Sequence, residues 1–140
     1  MVESLTCFSL ERHAGPYASW PLRSRLERDG QPLPVTLAGY LIERQFLVPA
    51  GYLIVTSCDC PFEERTTFHL LDGAYRIRSE LSCFTPYATW LLEAMEPLGD
   101  RAFQVVFFND DRYLLRVRPR PRWLGGWFLR LSQGGWRAEM

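Results

Sequence analysis

The chain has 140 residues, 47% of them hydrophobic, which suffices for one domain with a full core and leaves too little for two. Sixteen basic residues balance sixteen acidic ones, so the molecule lacks the global positive field with which nucleic-acid binders collect counterion-release energy. All sixteen basic residues are Arg and none is Lys, which excludes a Walker A loop, a Schiff-base or pyridoxal-phosphate lysine and a Ser-Lys pair.

Asn109 is the only asparagine. Scarce Lys and Asn beside abundant Arg, Ala, Gly and Pro is the imprint of GC-rich codons, so a bacterial source is expected. The first residues lack a basic start followed by an apolar stretch, and the longest apolar runs fall far short of the roughly 20 residues of a membrane helix. A cytoplasmic protein with no membrane partner and a single domain over 1–140 is the expectation.

In chain order, Val2 to Ser9 is rich in β-formers and reads as a first strand ending before His13-Ala14-Gly15-Pro16. Ser19, Pro21 and the Asp29-Gly30 pair are compatible with a short surface helix near 20–28. From Val35 to Cys58 the chain is extended, with Pro49-Ala50-Gly51 as a turn. Thr66 to Leu71 and Ala74 to Leu81 flank Asp72-Gly73, the pair that suits a type I′ hairpin. Thr85-Pro86 then opens a stretch in which Tyr87, Trp90, Leu91, Ala94 and Met95 recur at helical spacing, predicting an amphipathic helix near 86–96. Two more hairpins follow, one around Asn109-Asp110-Asp111 and one around Gln133-Gly134-Gly135. The expected fold is mainly β with a helical addition (α+β): an antiparallel sheet built from hairpins, as a sandwich or partly closed barrel. Its expected core is Phe68, Leu70, Tyr75, Ile77, Leu91, Val105, Phe107, Leu115, Val117, Trp127 and Leu129.

Cys58 and Cys60, two apart at a strand end, share a face and offer a metal to Cys83, Cys7 or His69, yet the spacing matches no structural zinc pattern. Reduced thiols, no metal and no cofactor are expected, and no cofactor-binding or catalytic motif occurs. A nucleophile with a base would have to draw on His69 and Cys83, which is the basis of an alternative reading as a small enzyme or ligand-binding barrel. Asp59, Glu63 and Glu64 around Phe62 offer that alternative a carboxylate cluster, or else supply an apolar anchor among charges for a partner protein.

The carboxy-terminal part carries Arg116, Arg118, Arg120 and Arg122 at a spacing of two, with Trp123 and Trp127 beside them. In an extended chain that spacing puts the guanidinium groups on one side. Such a stripe suits an acidic protein partner through bidentate pairing, and as a third reading single-stranded nucleic acid through stacking, against which the balanced charge argues. Residues 1–100 hold eight Arg and thirteen acids, and residues 101–140 eight Arg and three acids. Either the two segments neutralise each other or the molecule has two faces. The leading expectation is a protein-binding module, of the inhibitor or immunity type dedicated to one partner such as a toxin.

Overall fold

A computed structural model describes residues 2–58, 65–83, 90–108 and 110–133. Twelve strands occur among them: β1 (Glu3–Ser4), β2 (Phe8–Leu10), β3 (Arg23–Arg28), β4 (Gln31–Ala38), β5 (Leu41–Val48), β6 (Gly51–Ser57), β7 (Thr66–Leu71), β8 (Ile77–Cys83), β9 (Leu92–Pro97), β10 (Ala102–Phe107), β11 (Asp111–Pro119) and β12 (Trp127–Gln133). A single 3-10 turn, Tyr17–Ser19, is the remaining element. The strands form three antiparallel sheets, ordered β1-β5-β6-β7-β8, β12-β11-β10-β9 and β2-β3-β4.

The five-stranded sheet is the middle layer. One of its faces contributes Phe46, Leu53, Val55, Phe68 and Leu70 to a large core shared with Leu92, Phe103, Val105, Phe107, Leu115, Val117 and Leu129 of the four-stranded sheet. Its other face puts Ile54 and Leu71 against Phe8, Leu26 and Leu37 of the three-stranded sheet. A strand in such a position has no solvent side, and all six residues of β7 are buried, His69 among them. The middle and four-stranded sheets meet where Leu129 N–H donates to Ser79 Oγ (3.0 Å), a side-chain bond in place of a ladder. The architecture is therefore a layered sandwich with no closed barrel.

The helix predicted near 86–96 is corrected over its second half, where Leu92–Pro97 is strand β9; residues 84–89 lie outside the described residues. The cause is a β-bulge. Val106 faces Ala94 and Phe107 faces Leu92, so Glu93 is inserted without an opposite number. The bulge brings Leu92 and Met95 to the same core, a separation of three that imitates helical spacing. Leu91, expected inside, is 46% exposed. The short helix near 20–28 is also corrected: β3 covers most of it, and Asp29 (φ 51°) and Gly30 (φ 80°) form the two-residue turn of the β3–β4 hairpin, as I′ geometry requires.

The β7–β8 hairpin is present but turns differently from expectation. Leu71 pairs with Ile77, and the wider loop is organised by the Asp72 carboxylate, which accepts the N–H groups of Ala74 (2.8 Å) and Arg76 (3.0 Å). An Asx-type turn thus replaces the I′ pair, and the left-handed residue is Tyr75 (φ 64°), not Gly73. The hairpin around Asp110 holds, with Phe107 opposite Asp111. In the last predicted hairpin Trp127–Gln133 is a strand paired with β11, and residues 134–140 lie outside the described residues. Of the expected core, Tyr75, Ile77 and Trp127 pack partly buried against the two clusters, and every remaining member except Leu91 is buried.

Candidate functional site

The arginine stripe begins on β11. Leu115 and Val117 point into the large core, so the pleat turns Arg116 and Arg118 to the outer face of the four-stranded sheet. Arg130 stands directly across from Arg116 and Phe128 across from Arg118 on β12, so the outer face carries a block of guanidinium groups around one aromatic ring. The spacing of two continues to Arg120, whose guanidinium lies 5.5 Å from the centre of the Phe128 ring and reaches Arg78 O (3.4 Å).

At Pro121 the stripe ends. Arg120 N–H donates to Gly126 O (3.0 Å), and the N–H groups of Leu124 and Gly125 both donate to Pro121 O, so residues 121–125 form a tight turn. Gly125 (φ 66°) and Gly126 (φ 79°) supply the left-handed conformations that close it. Arg122 departs from the stripe with this turn, and Trp123 and Leu124 are carried out into solvent, 83% and 56% exposed. Large apolar side chains held so far out are uncommon and mark contact sites when they stand together. Trp127 goes the other way: it packs half-buried against the large core, with the Arg101 guanidinium 4.7 Å above its ring. The pair of stacking platforms expected for a nucleic-acid groove is thereby separated.

Arg101 is the member that sequence reasoning missed. With Arg116 and Arg118 it lines a concavity of about 420 Å³ at the end of the β10–β11 hairpin, and no carboxylate is among the lining residues. The clue was present in the turn: a hairpin that turns between Phe107 and Asp111 brings Ala102 opposite Arg116, which delivers Arg101 to the arginine end. Ion pairs join Arg23 and His69 to Glu80, Arg76 and Arg78 to Asp72, and Arg112 to Asp110. Acidic residues also share the four-stranded sheet with the stripe, since β9 carries Glu93 and Glu96 beside β10.

The other candidate residues fare differently. Asp59, Phe62, Glu63 and Glu64, with Cys60, lie outside the described residues. His69 and Cys83 are not brought together: Cys83 belongs to the large core with Phe68, whereas His69, one residue on from Phe68, faces the opposite layer. There its Nδ1 contacts Glu80 Oε2 (2.9 Å) and its Nε2 Thr56 Oγ1 (2.8 Å). Thr56 Oγ1 also donates to Ala38 O (2.6 Å), and Glu80 accepts Arg23 (2.8 Å). The network ties β4, β6, β7, β8 and β3 together and satisfies a buried imidazole.

Cys7 and Cys83 are free thiols. No group of three or more metal-ligating side chains occurs among the described residues. Burial pushes the Cys83 thiol up to about 11, which removes the nucleophilic thiolate at neutral pH. In native protein, Cys83 should therefore react with a disulfide reagent at least about 100-fold more slowly than the partly exposed Cys7, and the difference should vanish in denaturant. Equal native rates would contradict the burial.

Among the described residues no helix is long and apolar enough to cross a membrane. Comparison of the chain with protein-family models, with curated proteins and with solved structures returns no match.

Proposed function

We propose that this chain is a protein-binding module that receives an acidic partner surface on the arginine face of β10–β12. The observation that carries the reading is the convergence of Arg101, Arg116 and Arg118 on one concavity beside a turn that holds Trp123 83% exposed. Guanidinium groups pair bidentately with carboxylates, and Trp and Arg are the residue types that dominate interface energetics. A protein partner is favoured over single-stranded nucleic acid because Trp127 is engaged beneath Arg101 and stacking requires successive free rings. The net charge of zero points the same way. The narrower reading, an inhibitor of the immunity type acting in a bacterial cytoplasm, rests on the small size and on a chain organised around one charged face. A toxin gene directly beside this one would support it.

The test compares wild type with the double variant Arg118→Glu, Trp123→Ala. Both side chains are exposed, so the thermal midpoint should move by no more than about 2 °C. The partner captured from the source organism by wild type, once purified, should bind the variant at least about 100-fold more weakly, because each substitution removes a hot-spot contact of about 2 kcal/mol or inverts its charge. Affinity should fall as salt is raised. Undiminished binding by the variant, or tight saturable binding of a single-stranded oligonucleotide at physiological salt, would remove the proposal.

A further inference from the structure

The amino-terminal segment changes sheets within a few residues. β1 runs along β5 as far as Leu5, whose N–H donates to Gln45 O (2.9 Å), and by Cys7 the chain has joined β3, with Asp29 N–H donating to Cys7 O (2.8 Å). β5 extends back to Leu41 beyond the reach of β1. Between β2 and β5 a cleft of about 470 Å³ opens, with Phe8, Leu10, Trp20, Tyr40, Leu41 and Ile42 among its walls.

The ladder fixes which main-chain groups face this cleft. Asp29 N–H to Cys7 O and Glu11 N–H to Arg25 O make the odd-numbered residues those that bond to β3. Phe8 and Leu10, opposite Arg28 and Leu26, must then turn their N–H and C=O groups the other way. At Phe8 both groups are engaged by the Gln45 carboxamide, which accepts Phe8 N–H (2.9 Å) and donates to Phe8 O (3.0 Å). A carboxamide carries the donor and acceptor of a peptide unit, and this one occupies the place of a neighbouring strand. About 6.8 Å further along β2, Leu10 presents the same donor and acceptor, and no hydrogen bond engages them among the described residues.

Beside this open rung stands a preformed aromatic wall. Tyr40 meets Trp20, His13 and Tyr17 edge-on, with ring centres 5.1, 5.4 and 5.5 Å away. Tyr40 O–H donates to Pro21 O (2.8 Å) and Trp20 Nε1–H to Gly15 O (3.2 Å). His13 Nε2 lies 2.8 Å from Ser24 Oγ. The rings are held before anything binds, which lowers the ordering cost of a ligand. At the rim, Glu11 is already taken by Arg25 N–H (2.8 Å), and only Arg12 adds an exposed charge.

We propose that this cleft docks an extended, uncharged peptide segment of another protein, which adds as a strand along β2 at Leu10 and lays a bulky apolar side chain against Trp20 and Tyr40. A main-chain donor and acceptor side by side at the edge of an apolar cleft are matched at once by a peptide backbone, and alternate side chains then reach the wall. Gln45 shows the chemistry of the first rung, and the ligand supplies the second. The site is independent of the arginine face, because β2-β3-β4 and β9–β12 cover opposite faces of the middle sheet.

The probe is the neutral peptide acetyl-Thr-Val-Phe-Val-Thr-amide, titrated into the full chain while amide and indole NMR signals are followed. The Leu10 amide and the Trp20 indole should shift saturably. The same peptide N-methylated at all five residues keeps every side chain, loses the main-chain N–H donors of both edges, and should bind at least tenfold more weakly. Leu10→Pro removes an N–H that the β2–β3 ladder does not use, a position where an edge strand accepts proline, and should abolish the shifts at Trp20, whereas Leu10→Ala should retain them. Equal binding of the methylated peptide to wild type would overturn the proposal whether or not the proline variant folds. So would shifts confined to Arg118 and Trp123, or a wild-type dimer sealed through β2 that excludes the peptide. The probe carries no charge, so failure here leaves the arginine face untouched, and failure of the arginine face leaves this site testable.

Discussion

Alanine at Gly51 is expected to lower stability by about 3–5 kcal/mol, the steepest cost of a methyl group at any described glycine. Gly51 opens β6 opposite Val48 and sits beside the end of β7, with φ 140°. A Cβ there would lie 2.0 Å from Leu71 O and 3.0 Å from Asp72 Cα. These are backbone atoms, and β7 is paired on both sides and buried on both faces, so nothing nearby can give way. Gly39 (φ 102°) is a milder case, with Ser57 O 2.9 Å from its Cβ position, and Gly39→Ala should cost about 2–3 kcal/mol. Gly30 (φ 80°) has only its conformation to defend, since nothing lies within 4 Å, and Gly30→Ala should cost about 1 kcal/mol. Urea unfolding of the three variants should reproduce this order. Equal costs would mean that the β6–β7 approach is looser than described.

The same approach of strands explains what could and could not be read in advance. Where a strand has one wet face, alternation is visible in the residues: Phe103, Val105 and Phe107 alternate with half-buried neighbours along β10, and turn chemistry at Asp110 sets their register. Alternation fails for two physical reasons elsewhere. β7 is apolar or uncharged throughout because both its faces are covered, so His69 carries no mark that distinguishes a surface position from a buried one. β9 contains an inserted Glu93, and a bulge shifts the apolar period from two towards three, where a helix is the natural reading.

Turn pairs are ambiguous for a related reason. Asp29-Gly30 and Asp72-Gly73 are the same dipeptide, yet only the first closes a two-residue hairpin. In the second, the Asp72 carboxylate captures the N–H groups of Ala74 and Arg76 as well as the side chains of Arg76 and Arg78, and these interactions stabilise a wider loop. The arginine stripe was legible because spacing along one strand suffices to place it. Its partner Arg101 and the cleft at Leu10 were not, since both arise where separate segments are brought together.

Acidification should destabilise the protein in two stages, and the His69–Glu80 pair accounts for both. His69 is 0% exposed, and burial, the largest influence, lowers its pKa from the usual 6.5. The Glu80 carboxylate pulls it upward and Arg23 pushes it down, with the lowering dominant. The folded imidazole is therefore neutral at pH 7, and its Nδ1–H donates to Glu80. The single Thr56 proton then serves Ala38 O and His69 Nε2. Below about pH 6.5 the unfolded chain takes up a proton that the folded ring refuses, so the unfolded state binds more protons and stability falls with pH. Between pH 6.5 and 5.5 the loss is at most about 1 kcal/mol, the limit for a ring that stays neutral throughout the interval.

Glu80 brings the second stage. The His69 N–H, with Arg23 assisting, holds its carboxyl at about 2 against a usual 4.5. That stabilisation is complete above pH 4.5 and is lost as pH falls towards 2. The carboxylate of Asp72 is also held low, chiefly by the Arg76 N–H, and contributes in the same acid range. Urea midpoints measured at pH 7.5, 5.5 and 3 separate these contributions. His69→Leu cannot titrate and should flatten the interval from 7.5 to 5.5 while lowering stability throughout, because Thr56 and Glu80 lose their common partner. Glu80→Gln should shrink the drop between 5.5 and 3 and leave the Asp72 contribution. Rising stability between pH 7.5 and 5.5 in wild type, absent in His69→Leu, would reverse the assignment: the ring would then be an imidazolium donating through both nitrogens, to Glu80 on one side and to Thr56 on the other.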